Sequence, residues 1–194
     1  MNKKIVLAVV LFVVLLVAVP FIQALFFTQQ TAGKIVINQP INAPYLNNTK
    51  KEITLVFFGY VGCVRVCTPI LHQLNDFYDS PQFAPFQGTV GVSFVNLMPE
   101  LDKNQPQLFA ESFNHEFEGV YLTQKELMSI DRELNVFFSK SLSESGEIDH
   151  SDHLYLIERE KSGIVVLRNI YTTHPINRSL IVDDIRKLLS EKNE

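Results

Sequence analysis

One stretch of the sequence constrains the fold of this chain more than any other feature. In it, an apolar run typical of a strand is followed by two cysteines and then by the predicted start of a helix. Residues 52–58 (EITLVFF) carry a continuous apolar run, as in a strand that is buried on both faces of a sheet, and the run ends at Gly59. The only two cysteines of the chain, Cys63 and Cys67, follow, and Pro69 suits the first turn of a helix. This arrangement predicts an α/β domain with both cysteines at a strand-to-helix turn.

Helical and strand-like patterns alternate along the rest of the chain. Thr68 is the predicted N-cap of the helix after the cysteines, residues 123–126 form a capping box, and residues 137–147 are predicted to be a polar loop without a core pattern. This order is typical of a thioredoxin-like α/β fold, a mixed central sheet flanked by helices. The predicted strands cover residues 34–38, 52–58, 89–97, 117–121, 154–157 and 164–170, and further helices cover residues 106–114, 123–135 and 179–190.

The N-terminal segment predicts one transmembrane helix. Residues 5–27 lack a charged side chain, and a membrane-spanning helix needs about 20 such residues. Lys3 and Lys4 precede the segment, which predicts a cytoplasmic N-terminus and a domain outside the cytoplasm. A cleaved signal peptide, with an apolar core of about 7–15 residues, is the alternative. Because no arginine- and serine-rich transit peptide is present, we expect a single-pass protein of a bacterial inner membrane with its domain in the periplasm.

Length and charge limit the organisation and the partners of the chain. The sequence divides into a predicted anchor at residues 1–27, a polar tether at residues 28–48 and a domain at residues 49–194, which is long enough for one hydrophobic core. The formal net charge is -4, and no run of lysines and arginines is present. The sequence therefore predicts no nucleic-acid partner.

The spacing of the two cysteines favours a chemical role over a structural one. Outside the cytoplasm two thiols can form a lasting disulfide, but a loop of three intervening residues gains little stability from such a bridge. Cys63 and Cys67 stand at i and i+4, so their sulfurs can face one point whether the turn is helical or irregular. Thiolates are soft ligands that suit Cu(I), Zn and iron–sulfur clusters. Two of them need a third ligand, for which histidine is the natural choice.

Five histidines are available as a third ligand. His72 falls on the helix after the cysteines, and His115 and His174 fall in loops, so all three are predicted to be surface or core-edge residues. His150 and His153 stand just before the strand at residues 154–157. In an extended chain they point to opposite faces, so only one of them can face a given site. Spacing alone does not choose between them.

Two motifs give the sequence a resemblance to the Sco/SenC family of copper-binding proteins. That family places a Phe-Gly-[Phe/Tyr]-x-x-Cys-x-x-x-Cys turn after its first core strand, and the chain has FGYVGCVRVC at residues 58–67. The family also places Asp-His-[Ser/Thr] before a Tyr-Leu-Ile strand, and the chain has DHS at residues 149–151 and YLI at residues 155–157. The resemblance covers about residues 50–190, and it selects His150 over His153.

The resemblance implies that Cys63, Cys67 and His150 bind one copper ion, as Cu(I) or Cu(II). Residues 49–194 would then form a thioredoxin-like copper-binding domain. The implied role is that of a membrane-anchored copper chaperone, which is not an enzyme in the usual sense. Its implied partner is the copper-bearing subunit of cytochrome c oxidase, to which the family delivers copper or whose thiols it reduces, or another periplasmic copper or thiol protein.

The chain departs from the family pattern at four positions near the predicted site. Val64 and Thr68 stand where proline commonly follows each cysteine, and Arg65 stands where a carboxylate is common. Arg65 either lowers the pKa of the thiols or is a solvated loop cation. Met98 replaces a usual aspartate, either as an extra soft ligand or as a packed side chain near the sheet edge.

Two other functions are compatible with the same residues. A periplasmic thiol–disulfide oxidoreductase would use Cys63 and Cys67 as a redox-active pair, with Cys63 as the attacking thiolate. An anchored interaction module would sense copper or redox state through the same residues. Loss of His150 should cripple a copper chaperone and spare an oxidoreductase, so this residue discriminates between the two.

Overall fold

The computed structural model describes residues 3–5, 7, 11–12, 14–19, 33–47, 49, 51–134, 136–140 and 148–192. The chain forms two compact units, Met1–Gly33 and Lys34–Glu194. The predicted anchor at residues 5–27 lies mostly outside the described residues. Within the part of the chain that the structure describes, no helix combines the length and the apolar character that a membrane span needs.

The second unit contains a six-stranded mixed sheet with the spatial order β1-β8-β7-β2-β3-β4. β2 pairs in parallel with β3, and β3 with β4, whereas the β2–β7, β7–β8 and β1–β8 pairs are antiparallel. The bounds of the strands are β1 Lys34–Ile41, β2 Ile53–Gly59, β3 Val90–Asn96, β4 Glu118–Val120, β5 Phe138–Lys140, β6 Ile148–His150, β7 Leu154–Arg159 and β8 Val165–Tyr171, and those of the helices are α1 Cys67–Tyr78, α2 Gln105–Glu111, α3 Gln124–Leu134 and α4 Arg178–Glu191.

Strand β2 stands at the centre of two hydrophobic cores. Its seven residues are all buried, as the continuous apolar run predicts, and alternate side chains point to opposite faces of the sheet. Leu55 and Phe57 belong to one core, with side chains from α1, α2 and α4, and Val56 and Phe58 belong to the other, with side chains from α3. The predicted mixed sheet flanked by helices is confirmed.

The predicted short strand in the tether is confirmed as β1, which is longer than expected. It pairs with β8 at the edge of the sheet, and the register shifts between Val36 and Gln39, where Asn38 has φ 53°. The compact unit accordingly begins at Lys34, within the segment that the sequence assigns to the tether.

The prediction of a polar loop at residues 137–147 is wrong for its first part. Phe138–Lys140 forms β5, which pairs antiparallel with β6 at Ile148–His150 in a separate two-stranded sheet. Each strand has only three residues and no alternating apolar pattern, so the pairing leaves no periodic signal in the sequence. Residues 141–147 lie outside the described residues.

The capping box at residues 123–126 is confirmed. The Thr123 N–H donates to Glu126 Oε2 at 2.8 Å, and the Glu126 N–H donates to Thr123 Oγ1 at 3.3 Å. These reciprocal bonds satisfy two backbone donors where α3 begins. The prediction of Thr68 as an N-cap is wrong. The helix α1 begins at Cys67, so its N-cap is Val66 and Thr68 lies inside the first turn. Thr68 donates from both its N–H and its hydroxyl to the carbonyl of Cys63.

Candidate metal centre

The turn that carries the cysteines begins where β2 ends. The Cys63 N–H donates to the Tyr60 carbonyl at 3.2 Å, and Gly62 has φ 89°, a backbone conformation that few residues other than glycine adopt. Directly after the neighbouring strand β3, the Leu97 N–H donates to the Gly59 carbonyl at 2.7 Å. The turn is therefore fixed to the end of the central sheet.

Both cysteines are buried free thiols that face each other. Cys63 lies in the turn and Cys67 begins α1, so the convergence comes from an irregular turn and not from a continuous helix. The Cys67 N–H donates to Cys63 Sγ at 3.3 Å. The first N–H groups of a helix have no partner within the helix, and here one of them contacts the sulfur.

His150 approaches the cysteines from a separate part of the chain. Its Nε2 lies 3.5 Å from Cys67 Sγ, and its Nδ1 lies 2.9 Å from the carbonyl oxygen of Ser151. Because a carbonyl oxygen can only accept, Nδ1 carries the proton in this contact. In the neutral ring this leaves Nε2, with its lone pair, as the nitrogen on the side of the cysteines, where it is available to bind a metal ion.

The three predicted ligands form a group that could hold a metal ion. One ligand atom from each of Cys63, Cys67 and His150 lies within 4.8 Å of the other two. Gly59 leaves the space that this group needs, because a Cβ on this residue would stand 2.6 Å from Cys67 Sγ. Two sulfurs and one imidazole nitrogen are donors that suit copper.

The two thiols differ in acidity. Burial of Cys63 disfavours its thiolate, but hydrogen bonds from the N–H and the thiol of Cys67 and from the Tyr60 side chain outweigh this effect, so the pKa of Cys63 is lowered. Burial raises the pKa of the Cys67 thiol, and its hydrogen bond to Cys63 raises it further. Cys63 therefore ionises before Cys67.

The other four histidines lie outside the group formed by Cys63, Cys67 and His150. His153 is outside the three-residue group, and its ring lies 6.5 Å from that of Tyr155. The other three occupy surface positions on α1 or in loops, as predicted: His72 packs on Phe113, His115 lies beside Glu116, and His174 contacts Asp152.

Two of the unusual residues near the site occupy different environments. Arg65 is exposed on the turn between the cysteines. Met98 is half-buried and packs against the core cluster that contains both cysteines. Its carbonyl accepts a hydrogen bond of 2.7 Å from the side-chain amide of Asn96.

Four further residues shape the site, and their roles were not predicted from the sequence. Asn96 is fully buried and accepts a bond of 3.2 Å from the Val61 N–H, so it links the turn to β3. Phe57 and Tyr60 contact the ring of His150, and the Ser151 carbonyl orients that ring. These roles depend on contacts between distant segments. The FGY and DHS motifs contain only two of the four residues, Tyr60 and Ser151.

Solved structures share this architecture. The copper-bound ScoI of Arabidopsis thaliana is 24% identical to this chain, with a TM-score of 0.59 over 74% of this chain and 89% of that one. BsSco, a member of the Sco family of cytochrome c oxidase assembly proteins in which a disulfide switch was identified, is 18% identical, with a TM-score of 0.56 over 78% of this chain and 94% of that one. These similarities show that the fold is thioredoxin-like.

Sequence comparison defines the family. Protein sco1 of Schizosaccharomyces pombe is 24% identical over 140 residues, which are 69% of this chain and 53% of that protein. The chain thus spans about half the length of this curated relative. The SCO1/SenC family model matches residues 42–190, well over half of the chain. The chain belongs to the SCO1/SenC family.

Proposed function

We propose that this protein is a membrane-anchored, extracytoplasmic copper chaperone that carries one copper ion on Cys63, Cys67 and His150. The observation that supports the proposal most directly is the approach of these three ligand atoms to within 4.8 Å of one another. Two ligands come from the turn after β2 and the third from β6, more than eighty residues later.

The donor set suits an ion that is carried and then released. Two thiolates favour Cu(I), and an imidazole helps to accommodate Cu(II). Because the ligands belong to two segments, a recipient can replace the imidazole and the thiolates one after another without unfolding the domain. Oxidation of the two thiolates to a disulfide, with two electrons passed to an acceptor disulfide, would remove both sulfur ligands and release the ion.

The proposed recipient is the copper-bearing subunit of cytochrome c oxidase or another periplasmic copper or thiol protein. Membership of the SCO1/SenC family supports this proposal, as does the similarity to BsSco, a member of a family of oxidase assembly proteins. The proposed location is a bacterial inner membrane, with residues 5–27 as a single anchor, the N-terminus in the cytoplasm and the domain in the periplasm. The uncharged character of this segment supports the anchor.

A thiol–disulfide oxidoreductase is the second candidate. The lowered pKa of Cys63 and the raised pKa of Cys67 support it, because an attacking thiolate and a neutral partner thiol are what exchange requires. In this role Cys63 would attack a substrate disulfide, and Cys67 would then displace the reduced substrate and close the Cys63–Cys67 disulfide.

An anaerobic Cu(I) titration of the reduced full-length chain, in competition with a Cu(I) chelator, tests the proposed function. We expect one tightly bound equivalent in the wild type and weaker binding in the Cys63→Ser, Cys67→Ser and His150→Ala variants. His153→Ala is the matched control, because His153 lies nearby and outside the ligand group.

Equal affinities of the His150→Ala and His153→Ala variants would remove His150 from the site. Absence of tight copper binding in a wild-type protein with two titratable thiols would contradict the chaperone and favour the oxidoreductase. The reduction potential of the Cys63–Cys67 pair would then be the next measurement.

A further inference from the structure

Two aromatic rings enclose the imidazole of His150. The ring of Tyr60 lies 5.9 Å from that of His150 at an interplanar angle of 89°, and the ring of Phe57 lies 6.3 Å away at 70°. Both contacts have the edge-to-face geometry that aromatic pairs prefer. The cysteine-bearing segment therefore contributes two rings that pack against the third ligand.

This contact matters because His150 lies outside the six-stranded sheet. It belongs to β6, whose described strand partner is β5 in the separate two-stranded sheet. The position of the imidazole relative to the sulfurs must therefore be set by side-chain contacts and not by hydrogen bonds of the main sheet. The Ser151 carbonyl fixes the protonated nitrogen, but a single hydrogen bond leaves the ring free to tilt.

We propose that Tyr60 is a positioning residue that holds the imidazole of His150 with Nε2 directed at Cys67. Its ring restricts the tilt of the imidazole, and its carbonyl accepts a hydrogen bond of 3.2 Å from the Cys63 N–H. Tyr60 thus contacts a ligand from each of the two segments. Phe57 packs on the imidazole too, but it is fully buried in β2 and also packs on Phe94, so its replacement would disturb the core.

The chain provides a matched control for this role. Tyr78 belongs to the same core cluster and is buried to a similar degree as Tyr60. Its ring packs edge-to-face on Phe117 at 5.7 Å and 89°, almost the geometry of the Tyr60–His150 pair. Tyr78→Leu therefore removes an equivalent aromatic contact that does not involve His150.

The first measurement needs no copper. Nitrogen-15 NMR of the reduced, metal-free full-length chain in detergent micelles reports which ring nitrogen of His150 is protonated. Nuclear Overhauser effects report the distances of the imidazole from the rings of Tyr60 and Phe57. We expect one tautomer with Nδ1 protonated in the wild type, in Tyr60→Phe and in Tyr78→Leu. In Tyr60→Leu we expect the Ser151 carbonyl to keep this tautomer, while the nuclear Overhauser effects between the rings of His150 and Phe57 change because the imidazole is free to tilt.

The second measurement is the copper affinity of the same variants, which rests on the proposed function. Because groups that orient a metal ligand typically change affinity by about 10- to 100-fold, we expect a loss of that size in Tyr60→Leu. Tyr60→Phe, which keeps the ring, should retain most of the affinity. The electron paramagnetic resonance spectrum of bound Cu(II) should change in Tyr60→Leu and stay unchanged in Tyr78→Leu.

The two measurements test the positioning role of Tyr60 and the proposed copper binding separately. Unchanged nuclear Overhauser effects between His150 and Phe57 in Tyr60→Leu, or equal effects of Tyr60→Leu and Tyr78→Leu, would reduce Tyr60 to a core packing residue. If Tyr60→Leu does not fold, Tyr60→Met replaces it, because methionine fills irregular space without an aromatic ring. Failure of the wild type to bind copper would overturn the proposed function, whereas the metal-free spectra would still decide the role of Tyr60.

Discussion

Gly59 shows how a single residue keeps space open for the site. A Cβ at this position would stand 2.6 Å from Cys67 Sγ and 3.1 Å from the ring of Phe94. We therefore expect Gly59→Ala to displace the sulfur, to weaken Cu(I) binding and to lower the free energy of unfolding by about 1–3 kcal/mol, as overpacking typically does. Chelator competition and urea denaturation measure the two effects. Gly88→Ala is the control, since a Cβ there meets no atom within 4 Å.

The acidity of the two thiols gives a prediction for their pH dependence. The pKa of Cys63 is lowered and that of Cys67 is raised, and only the thiolate reacts with alkylating agents. As pH rises, the thiolate fraction of Cys63 grows first, so alkylation of Cys63 should begin at a lower pH than alkylation of Cys67. Mass spectrometry of the peptides after iodoacetamide pulses at increasing pH checks this order. Simultaneous labelling of both thiols would contradict it.

The convergence of the candidate ligands was easier to predict from sequence than the residues that support them. The spacing of Cys63 and Cys67 indicated that their sulfurs could converge, and they do. The identity of the third ligand came from the motif around His150 and not from spacing, because an extended chain leaves His150 and His153 equivalent. The role of Gly59 could not be predicted, because the sulfur that excludes its side chain approaches only in the folded chain.

At the scale of elements, Asn96 connects the cysteine turn to the end of β3. Its buried side chain accepts from the Val61 N–H at 3.2 Å and donates to the Met98 carbonyl at 2.7 Å. Asn96→Ala would leave both backbone groups without this partner, at a cost of about 1–3 kcal/mol for each group that stays buried and unsatisfied. We expect lower stability together with weaker copper binding, because the turn loses its attachment to the sheet.

A second asparagine provides the control for this prediction. Asn177 caps α4 by accepting from the Leu180 N–H at 3.2 Å, and loss of such a cap costs about 0.5–2 kcal/mol. Asn177→Ala should therefore destabilise the protein without changing its copper affinity. If both variants changed the affinity to the same extent, global destabilisation would explain the result, and Asn96 would have no specific role at the turn.

The accuracy of the predicted elements followed the strength of their periodic patterns. The apolar run of β2 and the capping box of α3 gave correct elements, because burial and capping leave a local signal. β5 and β6 were missed, since three-residue strands take their stability from the pairing partner and not from their own pattern. His150 is the last residue of β6. The strand that carries the third candidate ligand therefore could not be predicted from local sequence patterns.

At the scale of the whole domain, the candidate metal site and the ion pairs of Glu158 lie at opposite ends of β2. The site follows Gly59, whereas Glu158 pairs in register with Ile53 at the beginning of the strand. Glu158 is buried and contacts Arg168 at 2.7 Å and Lys192 at 3.1 Å. A strand of seven residues is about 23 Å long, so the two regions share a scaffold without sharing a contact.

This separation predicts that stability and copper binding can be changed independently. Glu158→Ala leaves two partly buried cations without their shared carboxylate, and we expect a loss of about 3 kcal/mol, the low end for breaking a buried pair, with unchanged copper affinity. Glu160→Ala is the control: this carboxylate is 40% exposed and contacts Arg168 at 3.3 Å, so its loss should cost less than about 1 kcal/mol. Urea denaturation and chelator competition check both variants. A weaker copper affinity in Glu158→Ala would show that the sheet couples its two ends, because the substitution touches no residue of the site.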